Sequence, residues 1–176
     1  ARIAEQLPYP VIFHIADYLR GGFDKQYPDH LPPHPDVGTG ADLARLIEVC
    51  KANGHIFMPY TNPTWWCTNP KGPTFERVGN APLTRDLDGE IIGERYGASY
   101  TQGYTVCAWH PDVRAANDTI REQFTQTYPV EVLFQDQVGA RGHRWDRNPA
   151  APHPGAYLEG IHRIARVDSE SVPLGT

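Results

Sequence analysis

Asp136 is the residue of this chain that is best placed to do chemistry. It follows residues 130–134, a short apolar run of the kind that forms a buried strand, and a glycine-containing loop comes after it. In parallel α/β proteins, ligands bind at the carboxyl ends of the strands, so a carboxylate there is a candidate catalytic group. The alternative is a capping aspartate, which would only bond the backbone amides of its own loop.

Polar and aromatic side chains also lie at or near the ends of the predicted strands, where they would meet at one rim. We predict that nine of them bind substrate: His14, Asp17, Tyr60, Trp65, Trp66, His110, Gln137, Arg141 and Asp146. Aromatic faces beside carboxylates and hydrogen-bonding groups suit a sugar, whose ring has apolar faces and a hydroxyl edge. The sequence therefore favours a carbohydrate substrate.

Several of these residues have a structural alternative. Trp65 and Trp66 could pack in the core, because aromatic side chains supply much of the buried area of a protein. His14 could be a hydrogen-bonded core histidine, and Asp146 could form a turn in its proline-rich loop. Arg141 could pair with Asp136 and hold it ionised.

The elements that must position these residues alternate between strand and helix. Strands are predicted at residues 10–16, 55–60, 130–134 and 172–176, and helices after Thr39, after His110 and at about 155–167. Thr39 and Asp42 form a capping-box pattern, and Asn53-Gly54 ends the first helix. This alternation predicts an α/β fold with a parallel sheet.

Residues from about 61 to 103 break the alternation, and we interpret them as an insertion between a strand and its following helix. Asp88-Gly89, between two short strand-like runs, predicts a hairpin within the insertion. A complete (β/α)8 TIM barrel needs about 250 residues, and this chain of 176 supplies about half of the units. We therefore predict a single domain, residues 1–176, that is a partial TIM barrel, with the remainder of the barrel in the parent chain as its partner. A small open α/β sheet is the alternative.

Composition excludes several other classes of partner. A net charge of -5 and a pI near 5.9 argue against nucleic acid and anionic membranes. No apolar run approaches the roughly 18 residues that a membrane helix needs, so a soluble protein is expected, either secreted or cytoplasmic. Cys67 and Cys107 flank much of the insertion and could form a disulfide, whereas Cys50 falls on the apolar face of a helix.

Metal and cofactor motifs are missing from the sequence. The chain has eight histidines but no HxH, HExxH or Cys-x-x-Cys pattern, and we predict neither a metal site nor a cofactor. The alternative is a metal-dependent barrel hydrolase in which His14, His110 and Asp136 converge from their strand ends.

Three blocks of the sequence resemble a bacterial glycoside-hydrolase-like (β/α)8 barrel family of the DUF6259 type. The blocks are Gly22-Phe23-Asp24 with Tyr27-Pro28-Asp29 and Leu31-Pro32-Pro33, then Met58-Pro59-Tyr60-Thr61-Asn62-Pro63-Thr64-Trp65-Trp66, and then Phe134-Gln135-Asp136-Gln137-Val138-Gly139-Ala140-Arg141 with Asp146 and Asn148-Pro149-Ala150-Ala151. The strand that ends in Asp136 is also distantly similar to the nucleophile strand of retaining α-glycosidases, such as the α-galactosidase and endo-α-N-acetylgalactosaminidase families.

The resemblance implies a glycosidase that acts on α-linked sugars with retention. Asp136 would attack the anomeric carbon or stabilise an oxocarbenium-like transition state. Tyr60, Trp65 and Trp66 would form the sugar platform. In the relatives the proton donor, a second carboxyl group, lies on a later strand, so the resemblance implies that the donor lies beyond Thr176. A carbohydrate-binding barrel that has lost catalysis is the third possibility.

Overall fold

The structure, a computed structural model, describes residues 2–176. A parallel sheet of four strands lies at the centre of the fold. The strands are β1 (Ile12–Ile15), β2 (Ile56–Thr61), β6 (Leu133–Gln135) and β7 (Leu174–Gly175), and they lie side by side in that order. His14 lies opposite Met58, and Phe134 lies opposite both Tyr60 and Gly175. The predicted α/β class with a parallel sheet is confirmed, and the four strands do not close into a barrel.

The helices are α1 (Arg2–Gln6), α2 (Gly40–Ala52), α4 (Pro111–Glu122), which continues into a π-helical turn at Gln123–Thr127, and α5 (Tyr157–Ser169). The predicted capping box of α2 is confirmed. Thr39 Oγ1 accepts from the Asp42 amide at 3.2 Å, and the Asp42 carboxylate accepts from the Thr39 amide at 2.8 Å. None of the helices in residues 2–176 combines the length and the apolar character that crossing a bilayer requires.

The two faces of the parallel sheet differ in how they are covered. Phe57 and Leu133 are completely buried and share one core with Leu43 of α2 and with Phe124. Because side chains alternate along a strand, the neighbours of these residues lie on the other face. Ile12 lies on that face and is 56% exposed within residues 2–176.

A buried polar cluster joins β6 to the last two helices. The Asp168 carboxylate of α5 accepts from Gln135 Nε2 at 2.6 Å and from Arg121 Nη1 of α4 at 3.0 Å. Gln135 therefore points towards the helices, and the next residue along the strand, Asp136, points to the opposite face.

The insertion forms a small antiparallel sheet of its own. Its elements are β3 (Trp65–Cys67), α3 (Pro73–Val78), β4 (Gly93–Glu94) and β5 (Gly103–Thr105), with the strand order β3-β5-β4. The predicted hairpin at Asp88-Gly89 is confirmed, because the Asp86 amide donates to the Glu90 carbonyl at 2.9 Å and Gly89 has a φ of 86°. The sequence did not predict α3.

The disulfide that Cys67 and Cys107 could have formed is absent, because both residues are buried free thiols. Cys67 lies opposite Gly103 in the antiparallel ladder. Cys107 comes four residues after Gly103, which is roughly 13 Å in extended backbone. A disulfide needs α-carbons less than about 7 Å apart. Burial raises the pKa of each of the two thiols to about 12, so both stay protonated near neutral pH.

Candidate active site

Asp136 stands directly after β6, at the carboxyl end of the parallel sheet. Its amide donates to the Thr61 carbonyl at 2.8 Å, which continues the pairing with β2 and fixes the backbone. Its Oδ2 accepts from the Tyr60 phenol at 2.8 Å, while Oδ1 has no hydrogen-bond partner within residues 2–176. Asp136 is therefore held through one oxygen and offers the other to a ligand.

Tyr60 is the residue that orients this carboxylate. Its ring is 5% exposed and stacks against Phe134 with ring centroids 5.8 Å apart. Burial and the charge of Asp136 raise the pKa of the phenol, so it stays protonated and acts as a donor. The predicted role of Tyr60 in a sugar platform is corrected, because a buried ring cannot stack on a ligand.

Trp65 and Trp66 belong to the core, so their predicted role as a sugar platform is wrong. They are 1% and 2% exposed. Trp65 packs edge-on against Tyr96 at 5.4 Å, and Trp66 packs against Phe75 at 5.5 Å. A β-carbon at Gly103 would lie 1.8 Å from the Trp65 ring, so the facing strand accepts only glycine there. The packing alternative is correct for both tryptophans.

Arg141 neither pairs with Asp136 nor faces a ligand space. Its guanidinium is buried, donates to Thr64 Oγ1 at 2.8 Å and forms a close ion pair with Glu94 of β4, which Arg144 also contacts at 3.1 Å. Burial alone would raise the pKa of Glu94, but the hydrogen bond and the charge of Arg141 lower it below its usual value. The predicted sugar contact of Arg141 is wrong, since the side chain holds the insertion instead.

Asp146 and His110 have structural roles. Asp146 is 1% exposed and accepts from the amides of Asn148 at 2.9 Å and Arg85 at 3.3 Å, as its turn-forming alternative predicted. This burial contradicts its predicted contact with substrate. His110 is the N-cap of α4, and its Nδ1 accepts from the Asp112 amide at 3.3 Å. Its side chain is 15% exposed, so its predicted sugar contact stays a prediction.

Three predicted residues keep a surface that a ligand could reach. His14 is exposed on the uncovered face of the sheet, with its ring centroid 4.5 Å from that of Phe134 and 6.2 Å from that of Tyr60. Asp17 is exposed just after β1. Gln137 follows Asp136 with a φ of 67°, in the left-handed region that residues other than glycine rarely adopt. Their predicted sugar contacts stay predictions.

Phe23 and Asp24 join the site, although the sequence placed them only in a block of family resemblance and predicted no substrate contact for them. The Phe23 ring is 45% exposed and meets the Tyr60 ring edge-on, with centroids 5.0 Å apart. Burial raises the pKa of Asp24 and the charge of Asp136 adds to the increase, while a hydrogen bond from Tyr27 opposes it.

The metal alternative lacks a geometric basis in the described chain. Within residues 2–176, no group of three or more His, Cys, Asp or Glu side chains is arranged to hold a metal ion. His14, His110 and Asp136 therefore do not form the cluster that a metal-dependent hydrolase would need.

The solved structures with a similar fold include glycosidases of low sequence identity. An α-N-acetylgalactosaminidase from Bifidobacterium bifidum, in its ligand-free form, aligns with a TM-score of 0.79 and 17% identity over 98% of this chain and 28% of its own. An α-galactosidase from Thermus thermophilus, solved with stachyose, aligns with a TM-score of 0.61 and 21% identity over 97% of this chain and 33% of its own. This chain thus spans a third or less of the length of these proteins.

The sequence comparisons place the chain in a family. A search of curated proteins finds no match. Residues 1–158 match the family described as "Domain of unknown function (DUF6259)". Since the match covers most of the sequence, this chain belongs to the DUF6259 family.

Proposed function

We propose that this chain is part of the catalytic domain of a glycoside hydrolase that acts on α-linked sugars with retention, and that Asp136 is its nucleophile. The observation that carries the proposal is the position of Asp136 at the carboxyl end of a parallel strand, held through Oδ2 with Oδ1 free of partners within residues 2–176. The similarity in fold to an α-N-acetylgalactosaminidase and to α-galactosidases supports it.

The order of the strands supports a partial (β/α)8 barrel. A doubly wound sheet reverses its strand order at a switch point and carries helices on both faces. Here β1, β2, β6 and β7 follow one another in chain order, and one face is buried against helices while the other is not. In a barrel the second face would be the interior. We propose that the remainder of the barrel covers it.

The proposed reaction has two steps. In the first, an Asp136 oxygen forms a bond to the anomeric carbon, the bond to the leaving oxygen breaks, and a carboxylic acid gives that oxygen its proton. In the second, the carboxylate left by that acid takes a proton from water, and the water oxygen displaces Asp136 from the sugar. Two inversions at the anomeric carbon give net retention.

The chain's own residues prepare the first step. The Tyr60 phenol fixes the rotamer of Asp136 and stabilises its anionic form by a charge-assisted hydrogen bond. Asp146 does not suit the role of proton donor, because it is 1% exposed and bonded to backbone amides, so a substrate cannot reach it. A donor needs a raised pKa, and we propose that it comes from a strand after β7.

The test is the turnover of aryl glycosides by the full-length protein and by its Asp136→Asn variant. The first substrates are p-nitrophenyl α-galactoside and α-N-acetylgalactosaminide, with the β-anomers for comparison. Loss of a nucleophile lowers kcat by about four orders of magnitude or more, as for other covalent catalysts. Asp88→Asn, in the exposed hairpin of the insertion, is the matched control and keeps full activity.

Three outcomes separate the parts of the proposal. NMR of the first product formed should show the α-anomer, and a β-anomer would contradict retention. Azide added to Asp136→Ala should restore turnover and give a β-glycosyl azide. Sugar binding without turnover in the wild-type protein would favour the carbohydrate-binding barrel instead.

A further inference from the structure

The loop that follows β1 has a backbone shaped to present two side chains to the site. Between residues 21 and 26, Gly21 and Gly22 have φ angles of 72° and 98°, and Asp24 and Gln26 have φ angles of 55° and 56°. Left-handed backbone at a residue other than glycine is strained, and such residues concentrate at ligand sites. Phe23, between them, has no positive φ and lies against Tyr60.

Phe23 is an exposed aromatic ring that contacts Tyr60. Nearly half of its surface is accessible, and its ring meets that of Tyr60 edge-on. The Tyr60 phenol in turn bonds Asp136, so one side chain separates the ring of Phe23 from the carboxylate. Trp65 and Trp66, the aromatic residues that the sequence favoured for stacking, are buried.

One oxygen of the Asp24 carboxylate accepts a hydrogen bond within the protein, and the other does not. Oδ1 accepts from the Tyr27 phenol at 3.2 Å, and the same phenol accepts from the Asp24 amide at 3.0 Å. Tyr27 is fully buried and stacks on His30 with ring centroids 4.6 Å apart, so its position is fixed. Oδ2 of Asp24 has no hydrogen-bond partner within the part of the chain that the structure describes.

We infer that Phe23 and Asp24 bind the sugar ring that Asp136 attacks. Phe23 stacks on the apolar face of the hexopyranose, and Asp24 Oδ2 forms a hydrogen bond with a ring hydroxyl. This inference rests on the proposed function, which it extends from the reacting carboxylate to the residues that select the sugar.

The charges of the two carboxylates support a hydrogen-bonding role for Asp24. Burial raises the pKa of Asp24, and the negative charge of Asp136 adds to this increase. A sugar hydroxyl that donates to Asp24 would disperse its charge and lessen this repulsion. Asp24→Asn keeps the shape but weakens the acceptor, and loss of a hydrogen bond to a charged group corresponds to about 10- to 100-fold in affinity.

The experiment measures KM, kcat and the inhibition constant of the free monosaccharide for Phe23→Ala and Asp24→Asn in the full-length protein. We expect KM and the inhibition constant to rise about 10-fold or more in each variant, with a smaller change in kcat. The matched controls are Tyr100→Ala, which removes an aromatic ring that is 43% exposed, and Asp88→Asn. Both controls should behave like the wild-type protein. Tyr27→Phe, which leaves Asp24 Oδ1 without its donor, should shift the inhibition constant in the same direction as Asp24→Asn.

Each other outcome overturns the inference. Unchanged inhibition constants in natively folded Phe23→Ala and Asp24→Asn would remove both residues from the sugar site, even if Asp136→Asn had abolished hydrolysis. A kcat loss in Asp24→Asn that disappears with a 2,4-dinitrophenyl leaving group would make Asp24 the proton donor instead. If the wild-type protein hydrolyses no glycoside, the proposed function fails, and saturation-transfer NMR with galactose and N-acetylgalactosamine tests the inference directly: absence of binding, or binding equal in the variants, overturns it.

Discussion

The pair of Tyr60 and Asp136 divides the two carboxylate oxygens between two tasks. The phenol bonds Oδ2 at 2.8 Å, and the phenol is itself rigid because its ring is buried beside Phe134. A nucleophile benefits from such pre-organisation, since a fixed rotamer removes the need to order the side chain when substrate arrives. The same bond also stabilises negative charge on Asp136, and that charge disappears when the glycosyl ester forms.

Tyr60→Phe tests this role of the phenol. We expect kcat to fall by about 10-fold, because the carboxylate loses the contact that fixes its rotamer, while KM changes little. Phenylalanine preserves the ring, so circular dichroism and the melting temperature should stay close to those of the wild-type protein.

Tyr18→Phe is the matched control for this variant. The Tyr18 phenol is also buried, but it donates to the backbone carbonyl of Tyr60 at 2.7 Å and does not bond the carboxylate. Its loss should reduce the free energy of unfolding by about 1 kcal/mol and leave kcat nearly unchanged. Equal kcat losses in the two variants would contradict a specific role for Tyr60.

The sequence located Asp136 but could not assign most of its neighbours. A carboxylate after an apolar run is a local pattern, and it correctly predicted the position of Asp136 at the strand end. Trp65 and Arg141 have the right types for a sugar site, yet both are buried by contacts with Tyr96 and Glu94, which are distant in the chain. This burial depends on the tertiary packing of the insertion, which cannot be predicted from the residue types of Trp65 and Arg141.

At the scale of elements, the insertion is fixed to the connection between β6 and α5. Arg141 on that connection bonds Thr64 and Glu94, which lie at the start of the insertion and on β4. Asn148 Nδ2 donates to the carbonyls of Ala81 and Leu83 at 2.7 and 2.9 Å. The loop that carries Asp136 and Gln137 therefore runs between an anchor on β2 and anchors on the insertion.

Glu94→Gln should destabilise the protein in a pH-dependent way. Removing one partner of a buried ion pair reduces the free energy of unfolding by about 3 kcal/mol near neutral pH. Because the pKa of Glu94 is lowered in the fold, its contribution is present above the usual value of 4.5 and is lost as the pH falls through the lowered pKa. Urea unfolding at pH 7 and in steps below pH 4.5 measures the difference between wild type and variant, which should shrink on acidification.

Glu90→Gln is the control for this experiment, since Glu90 is exposed in the same insertion. It should match the wild-type protein within about 0.5 kcal/mol at every pH. A Glu94→Gln difference that stayed constant or grew below pH 4.5 would contradict the ion pair as its source.

The sequence predicts an element well when the contacts that define it are local in the chain. The capping box at Thr39 and Asp42 is a contact over three residues, so the sequence predicted the start of α2 correctly. α3 has six residues and buries only Phe75, which gives no helical period to detect. β6 is shorter than residues 130–134 suggested and begins at Leu133, where pairing with β7 fixes the register.

At the scale of the whole molecule, the parallel sheet is covered on one face and open on the other. Phe57 and Leu133 mark the face packed against the helices, and Ile12 and His14 mark the open one. The four strands in chain order agree with a segment of a barrel, in which the open face would become the interior. That assignment makes a prediction about stability in the full-length protein.

Ile12→Lys in the full-length protein should lower the free energy of unfolding by several kcal/mol, because a barrel interior would bury the ammonium group without a partner. Val37→Lys is the control, since Val37 is 55% exposed, nearly as much as the 56% of Ile12, but lies in the loop before α2. It should change stability by less than about 0.5 kcal/mol. Thermal and urea unfolding measure both, and equal small effects would favour an open sheet over a barrel.

The hydrogen bond that closes the insertion has a consequence for how the chain folds. The Val106 amide donates to the Thr64 carbonyl at 3.2 Å, so the two ends of the insertion meet next to β2 and α4. Loop-closure entropy grows only with the logarithm of loop length, by about 0.6 kcal/mol per doubling. Once the antiparallel ladder has formed, the chain between Thr64 and Val106 acts as a very short connection. The pairing of β2 with β6 then closes a loop of about half the length, so the folded insertion lowers the entropic cost of that pairing by about 0.6 kcal/mol.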